Sequence, residues 1–191
     1  MTVGLPPGHY NHRYVHVLQA VSLVAGWALV ALGCVVLVGW QLDAPLLKSV
    51  LQPDRVAMNP LAAAGFLLCG ASLLLMRAGQ AIRHRLSIGL ALVVVLLATV
   101  KFLSYEAGTT WSIDRILYEY RLAGSRLAPN TALTFVLAGL ALALIDLPLR
   151  GRYWLGQSFT IAVGVVAILS ISDYLHNILL LSGLSAHVPL A

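Results

Sequence analysis

The sequence predicts an all-α, polytopic membrane protein of five transmembrane helices arranged as tandem helix hairpins, and three observations carry this. Composition is the first: of 191 residues 60% are hydrophobic and 10% charged, with a mean hydropathy of +0.88. That is too apolar for a soluble domain and too long for a single anchor. Five continuous apolar runs are the second, each approaching or reaching the ~20 residues with which a helix crosses a ~30 Å hydrocarbon core. Barrel strands would instead alternate over roughly ten residues. The third is an internal repeat. Pro60-Leu61-Ala62-Ala63-Ala64-Gly65-Phe66-Leu67-Leu68-Cys69-Gly70 and Pro129-Asn130-Thr131-Ala132-Leu133-Thr134-Phe135-Val136-Leu137-Ala138-Gly139 share the pattern Pro-x-x-Ala-x-x-Phe-x-Leu-x-Gly about 69 residues apart. The same offset lays Arg83 on Arg152 and Tyr105 on Tyr174, so the copied unit is two helices and their loop. The whole chain, 1–191, is then one transmembrane domain with units of approximately 14–76, 83–145 and an incomplete 152–191.

The first run, Tyr14 to Trp40, is too long for a signal-peptide core, is flanked by only Arg13 and has no convincing small-residue cleavage site, so it is a retained helix. The segment after it carries Leu46 to Leu51, a short amphipathic piece suited to the membrane surface. The second run, Pro60 to Met76, opens on a proline whose missing N–H lacks a helical partner at that position anyway, with Asn59 as N-cap. Gly70 in this run and Gly139 in the fourth let neighbouring helices approach closely in lipid. The third run is Leu86 to Tyr105, followed by a second amphipathic piece, Ile113 to Tyr118. The fourth is Thr131 to Ile145. The fifth, Tyr153 to Tyr174, leads to an outer segment with Ile178 to Leu181. Beyond it, Val188-Pro189-Leu190-Ala191 resembles the opening of the Pro-x-x-Ala helices, which predicts a truncated sixth helix and a longer protein. Cys34 and Cys69 lie within spans at unrelated positions and form neither a disulfide framework nor a metal motif.

Orientation follows from the cations. With the amino terminus in the cytoplasm, that face holds Arg13, Arg77, Arg83, Arg85, Arg150 and Arg152 against Asp146 alone. The opposite face balances Lys48, Arg55, Arg115, Arg121 and Arg126 against Asp43, Asp54, Glu106, Asp114 and Glu119. Short basic turns inside satisfy the positive-inside rule and place the amino terminus and the two hairpin turns in the cytoplasm. Tyr14, Tyr153 and Trp154 then lie at the inner interface, and Trp40, Tyr105, Trp111 and Tyr174 at the outer one. The net charge of +5 is this orientation signal, and it does not call for nucleic acid.

Met58-Asn59-Pro60 before an apolar helix, and Leu127-Ala128-Pro129-Asn130-Thr131-Ala132-Leu133 followed by Phe135 and Gly139-Leu140-Ala141-Leu142, resemble the amino-terminal multi-pass regions of bacterial sensor histidine kinases and diguanylate cyclases. These are the membrane-associated sensor, or MASE-like, regions. The likeness runs from about Gly39 to Ala191; the first copy departs from it with Leu61-Ala62 in place of Asn130-Thr131. The resemblance implies signal input to a cytoplasmic output domain in a longer protein, and a homodimer. No kinase, cyclase or phosphotransfer motif occurs in these residues, and the chain itself is not expected to be an enzyme.

Charges near hydrocarbon mark candidate sites, because they are costly unless they face a partner or cavity. Lys101, one turn inside the outer end of the third helix, and Asp173, at the matching end of the fifth, would meet if the repeats pack side by side. Tyr105, Glu106, Tyr174 and His176 would surround them. Asn130 and Thr131, at a helix start, are candidates for holding an anionic group on free backbone N–H donors. An alternative reading uses the histidines. His12 and His16 share a helical face with His9 near the inner surface, with His84 at similar depth, while His176 and His187 lie outside. Such imidazoles would ligate haem b in a redox or gas sensor or electron carrier, with no other metal expected. A small transporter is the lesser alternative, since tandem repeats also build transporters.

Overall fold

The computed structural model describes residues 12–50, 57–77, 80–107, 127–145 and 153–181. Among these residues the chain forms six helices and no strand: α1 (His12–Gln41), α2 (Pro45–Lys48), α3 (Pro60–Met76), α4 (Ala81–Glu106), α5 (Pro129–Leu144) and α6 (Tyr153–Leu181). Three of them, α1, α4 and α6, are long and apolar enough to cross a membrane, over Tyr14–Gln41, Ala81–Tyr105 and Leu155–Asp173. The chain is a membrane protein. Helices α3 and α5 are shorter, at 17 and 16 residues.

The helices start and stop where local chemistry dictates. Asn59 caps α3 through its side-chain oxygen, which accepts from the Leu61 N–H at 2.9 Å, and Pro60 follows at the first helical position. Pro129 opens α5 in the same way, but Ala128 offers no side-chain cap. The amphipathic piece expected over 46–51 is a single turn, α2, begun by Pro45. Its expected counterpart over 113–118 lies outside the described residues. Ile178 to Leu181, expected as a separate outer segment, continue α6 instead. No Pro or Gly precedes them in that helix after Gly164 to stop it.

The short helices form the middle of the bundle. Helix α3 packs against α1, α4 and α5, α5 packs also against α4 and α6, and α6 has α5 as its main neighbour. Equivalent phenylalanines of the sequence pattern meet where the short helices touch: the rings of Phe66 and Phe135 lie edge to face with centroids 5.1 Å apart, a favoured geometry. Leu61, Ala62, Cys69, Val94, Ala98, Leu127 and Ala132 complete the core around them. Large side chains on α1 and α6, such as Val24, Trp27, Ile161 and Ile168, are exposed, as a lipid-facing surface requires.

Glycines set the closest approaches. A Cβ on Gly70 would stand 2.7 Å from the Gly26 carbonyl oxygen and 2.9 Å from the Val30 nitrogen of α1. A Cβ on Gly139 would stand 2.9 Å from the Ala91 carbonyl oxygen and 3.3 Å from the Val95 nitrogen of α4. The same glycine of the repeated pattern therefore seats on the same pair of backbone groups, four residues apart, of the helix before it. The close packing anticipated at both positions is what the structure has.

Between α3 and α4, Ser72 and Ser87 make a polar contact in the interior, and both are fully buried. The Ser72 hydroxyl donates to the Ser87 carbonyl at 2.9 Å and the Ser87 hydroxyl donates to the Ser72 carbonyl at 2.8 Å, with the hydroxyl oxygens 3.0 Å apart. In hydrocarbon such interhelical bonds are worth about 0.6–2 kcal/mol, because the separated helices also satisfy their hydroxyls on their own backbones. Ser72→Ala should lower stability in detergent by about 1 kcal/mol. A double-mutant cycle with Ser87→Ala should show non-additive losses, since the two hydroxyls share one contact.

Candidate functional site

The two ends of the bundle differ chemically. At one end α1 closes on α2 and the start of α3. Trp40, 1% exposed, donates its indole N–H to the Met58 carbonyl at 2.8 Å. Lys48, buried on α2, sets its ammonium 4.7 Å from the centre of the Trp40 ring and pairs with Asp43, which turns the chain out of α1 at a positive φ of 55°. The Lys48 carbonyl in turn accepts from the Met58 N–H at 2.8 Å. A Cβ on Gly39 would strike the backbone of α2, 2.9 Å from Lys48 N, so glycine is what lets α2 lie across the end of α1.

At the other end Arg77, the C-cap residue of α3, donates to the Gln19 carbonyl of α1. These two cross-links, Trp40 to Met58 and Arg77 to Gln19, bracket a length of α1 that rises about 31 Å at about 1.5 Å per residue. That matches a hydrocarbon core of about 30 Å. An aromatic marks one boundary and an arginine the other. Although α3 has only 17 helical residues, it is joined to α1 at both levels through its flanking Met58 and Arg77.

Among the described residues Lys101 is the candidate that the fold buries, at 4% exposure. It lies about 21 Å along α4 from Ser87, near the tryptophan end, with its ammonium 5.9 Å from the centre of the Tyr105 ring. The Ser104 hydroxyl donates to its carbonyl at 2.7 Å. When α4 is registered on α1 by the glycine contacts, rather than by the 69-residue sequence offset, it shifts by about one turn. Lys101 then takes the place of Val36, and Tyr105 that of Trp40. A buried cation stands where the first hairpin has a buried apolar side chain.

Of the other expected members of this cluster, Tyr105 is the one that the described residues set beside Lys101. Asp173 and His176 are exposed on α6, a helix that packs mainly on α5. Tyr105 belongs to α4 and is partly exposed. Glu106 ends α4 and Tyr174 belongs to α6, with side chains outside the described residues. At the start of α5, Asn130 is exposed and Thr131 half-buried; the Asn130 carbonyl accepts from Thr134 Oγ1 at 2.7 Å. Of the haem candidates, His16 is exposed near the start of α1 and His84 half-buried near the start of α4, and each of these helices packs against α3 rather than chiefly against the other. His12 begins α1, with its side chain outside the described residues, as is His187 altogether. Among the described residues no three His, Cys, Asp or Glu side chains gather as metal ligands.

Sequence reasoning missed the Trp40–Lys48–Asp43 cap and the Ser72–Ser87 pair. The serines had a signal: they lie within two turns of the bend on either side of it, Ser72 near the end of α3 and Ser87 near the start of α4, where an antiparallel hairpin brings the two helices together. No protein-family model, curated protein or solved structure matches this chain.

Proposed function

We propose that this chain is the transmembrane input module of a bacterial signalling protein, held in the inner membrane with its arginine end in the cytoplasm and acting as a homodimer. Its five spans descend from a copied hairpin. The recurrence of the Gly70 and Gly139 seats and the meeting of Phe66 with Phe135 support the copying, and the joining of α3 to α1 at both boundaries supports counting the short helices as spans. The observation that carries a sensory reading is Lys101. An ammonium buried in a membrane helix costs free energy that packing alone does not return, and such groups mark ligand or ion sites. The corresponding place on α1 is filled by valine, so the fold itself does not require the charge.

In this reading Lys101 is the ligand-recognising group at the outer end, with Tyr105 beside it and Asn130 and Thr131 on the neighbouring helix. The ligand's differential affinity for two packings of the α4–α5 hairpin shifts their populations. The change is delivered at the arginine end to a cytoplasmic output domain of the longer protein.

Wild type and Lys101→Met, purified from native membranes into nanodiscs, test this. Small molecules that co-purify are identified by mass spectrometry, and hydrogen exchange is followed along α4 and α5. The expected result is a small molecule retained by wild type and lost from the variant, with altered exchange at the arginine end. A chain that retains no molecule and whose exchange is unchanged by the substitution refutes the reading. Solute flux across liposomes would replace it with transport.

A further inference from the structure

A groove of about 410 Å³ opens at the arginine end between α1 and the end of α3, lined by Val15, Leu18, Gln19, Ser22 and Arg77. Its origin is a mismatch in length. Helix α1 begins at His12, so about 10 Å of it overhangs the level at which Arg77 meets Gln19. Nothing from α3 covers the first two turns of α1, and Val15 and Leu18 stay exposed there.

We propose that this groove binds an anionic phospholipid, with the phosphate on Arg77 and the glycerol and first methylenes against Val15 and Leu18. The ~31 Å of α1 between the two cross-links, matched to a ~30 Å hydrocarbon core, would put Arg77 at the boundary, the depth of a lipid phosphate. One of its N–H groups is fixed on the Gln19 carbonyl, which orients the planar guanidinium and leaves further donors for a second acceptor. Charge selects the headgroup. Among the described residues Arg77, Arg83 and Arg85 all lie at this end, whereas the acids Asp43, Glu106 and Asp173 lie at the other. A basic pocket between membrane helices favours anionic headgroups, and a headgroup that adds its own cation gains less. Free phosphate would leave the apolar wall of Val15 and Leu18 unused. The site rests on membrane embedding alone, so the chain binds lipid here whether or not it signals.

Native mass spectrometry of the full chain, released from detergent with phosphatidylglycerol, phosphatidylcholine or inorganic phosphate, tests the site. Wild type should retain phosphatidylglycerol with about a tenfold preference over phosphatidylcholine, as expected for one charge-assisted contact. Arg77→Gln should abolish the preference, and Arg83→Gln, on the first turn of α4 and outside the groove lining, should weaken it far less. Ser22→Phe, which fills the groove and keeps the charge, should abolish retention while thermal unfolding shows the bundle intact. Equal retention of the two lipids, equal losses in the two arginine variants, undiminished retention in Ser22→Phe, or a comparable phosphate adduct would each overturn the proposal.

Discussion

Trp40→Ala should destabilise the bundle by about 3–5 kcal/mol, the range for deleting a large buried aromatic. Three losses coincide there. The indole is packed among Val36, Ala63, Ala57 and Met58, so truncation opens a cavity at the joint of α1, α2 and α3. The Met58 carbonyl loses its donor, and the Lys48 ammonium loses the ring beneath it. Trp40→Phe separates these effects. It keeps most of the packing and ring face but removes the N–H, and should cost about 1–3 kcal/mol for an acceptor left unsatisfied. Trp27, in the same helix but exposed, is the control. Its ring meets lipid whether or not α1 is docked, so Trp27→Ala should change stability by less than about 0.5 kcal/mol. Thermal unfolding in one detergent, with the three variants compared to wild type, checks the order. Equal losses for Trp40→Ala and Trp27→Ala would mean that α2 does not close over the end of α1.

The contrast between these two tryptophans shows what the sequence discloses and what it withholds. Depth was legible. Continuous apolar runs, the prolines and the arginine turns placed the helix ends within a few residues for α1, α3 and α5, and Asn59 announced its cap. Rotation about each helix axis was not. In a soluble helix the apolar stripe names the buried face, but here lipid and protein interior are both apolar, and the sequence of α3 carries no pronounced stripe. Lys101 and Asp173 therefore read as neighbours because they share a level, whereas the fold turns Lys101 into the bundle and leaves Asp173 on the outside of α6. The cap around Trp40 was hidden for a related reason. A tryptophan at a span end satisfies the interfacial rule by itself, and nothing local says that a main-chain carbonyl 18 residues away will accept its N–H.

Small residues do report rotation, because only they permit backbones to touch, and substituting them should give the second large effect. A Cβ on Gly33 would lie 2.6 Å from the Ala63 carbonyl oxygen and 2.9 Å from the Leu67 nitrogen. Backbone atoms cannot rotate aside, so α1 and α3 must separate along their length. Gly33→Val should cost about 3 kcal/mol or more, at the upper end for overpacking. It acts despite the higher intrinsic helix propensity of valine over glycine. Gly26→Ala should be milder, since its new methyl meets the Leu74 side chain, at 2.8 Å, which can change rotamer. Gly89 and Gly164 meet nothing within 4 Å, so alanine there should be neutral or stabilise by up to about 1 kcal/mol through helix propensity. The ordering Gly33→Val, then Gly26→Ala, then the two positions with open space, read as midpoints of thermal unfolding, follows directly from which face of each helix is docked. A bundle in which Gly164→Ala cost as much as Gly33→Val would have α6 packed on both sides and α1 free, the reverse of the arrangement described.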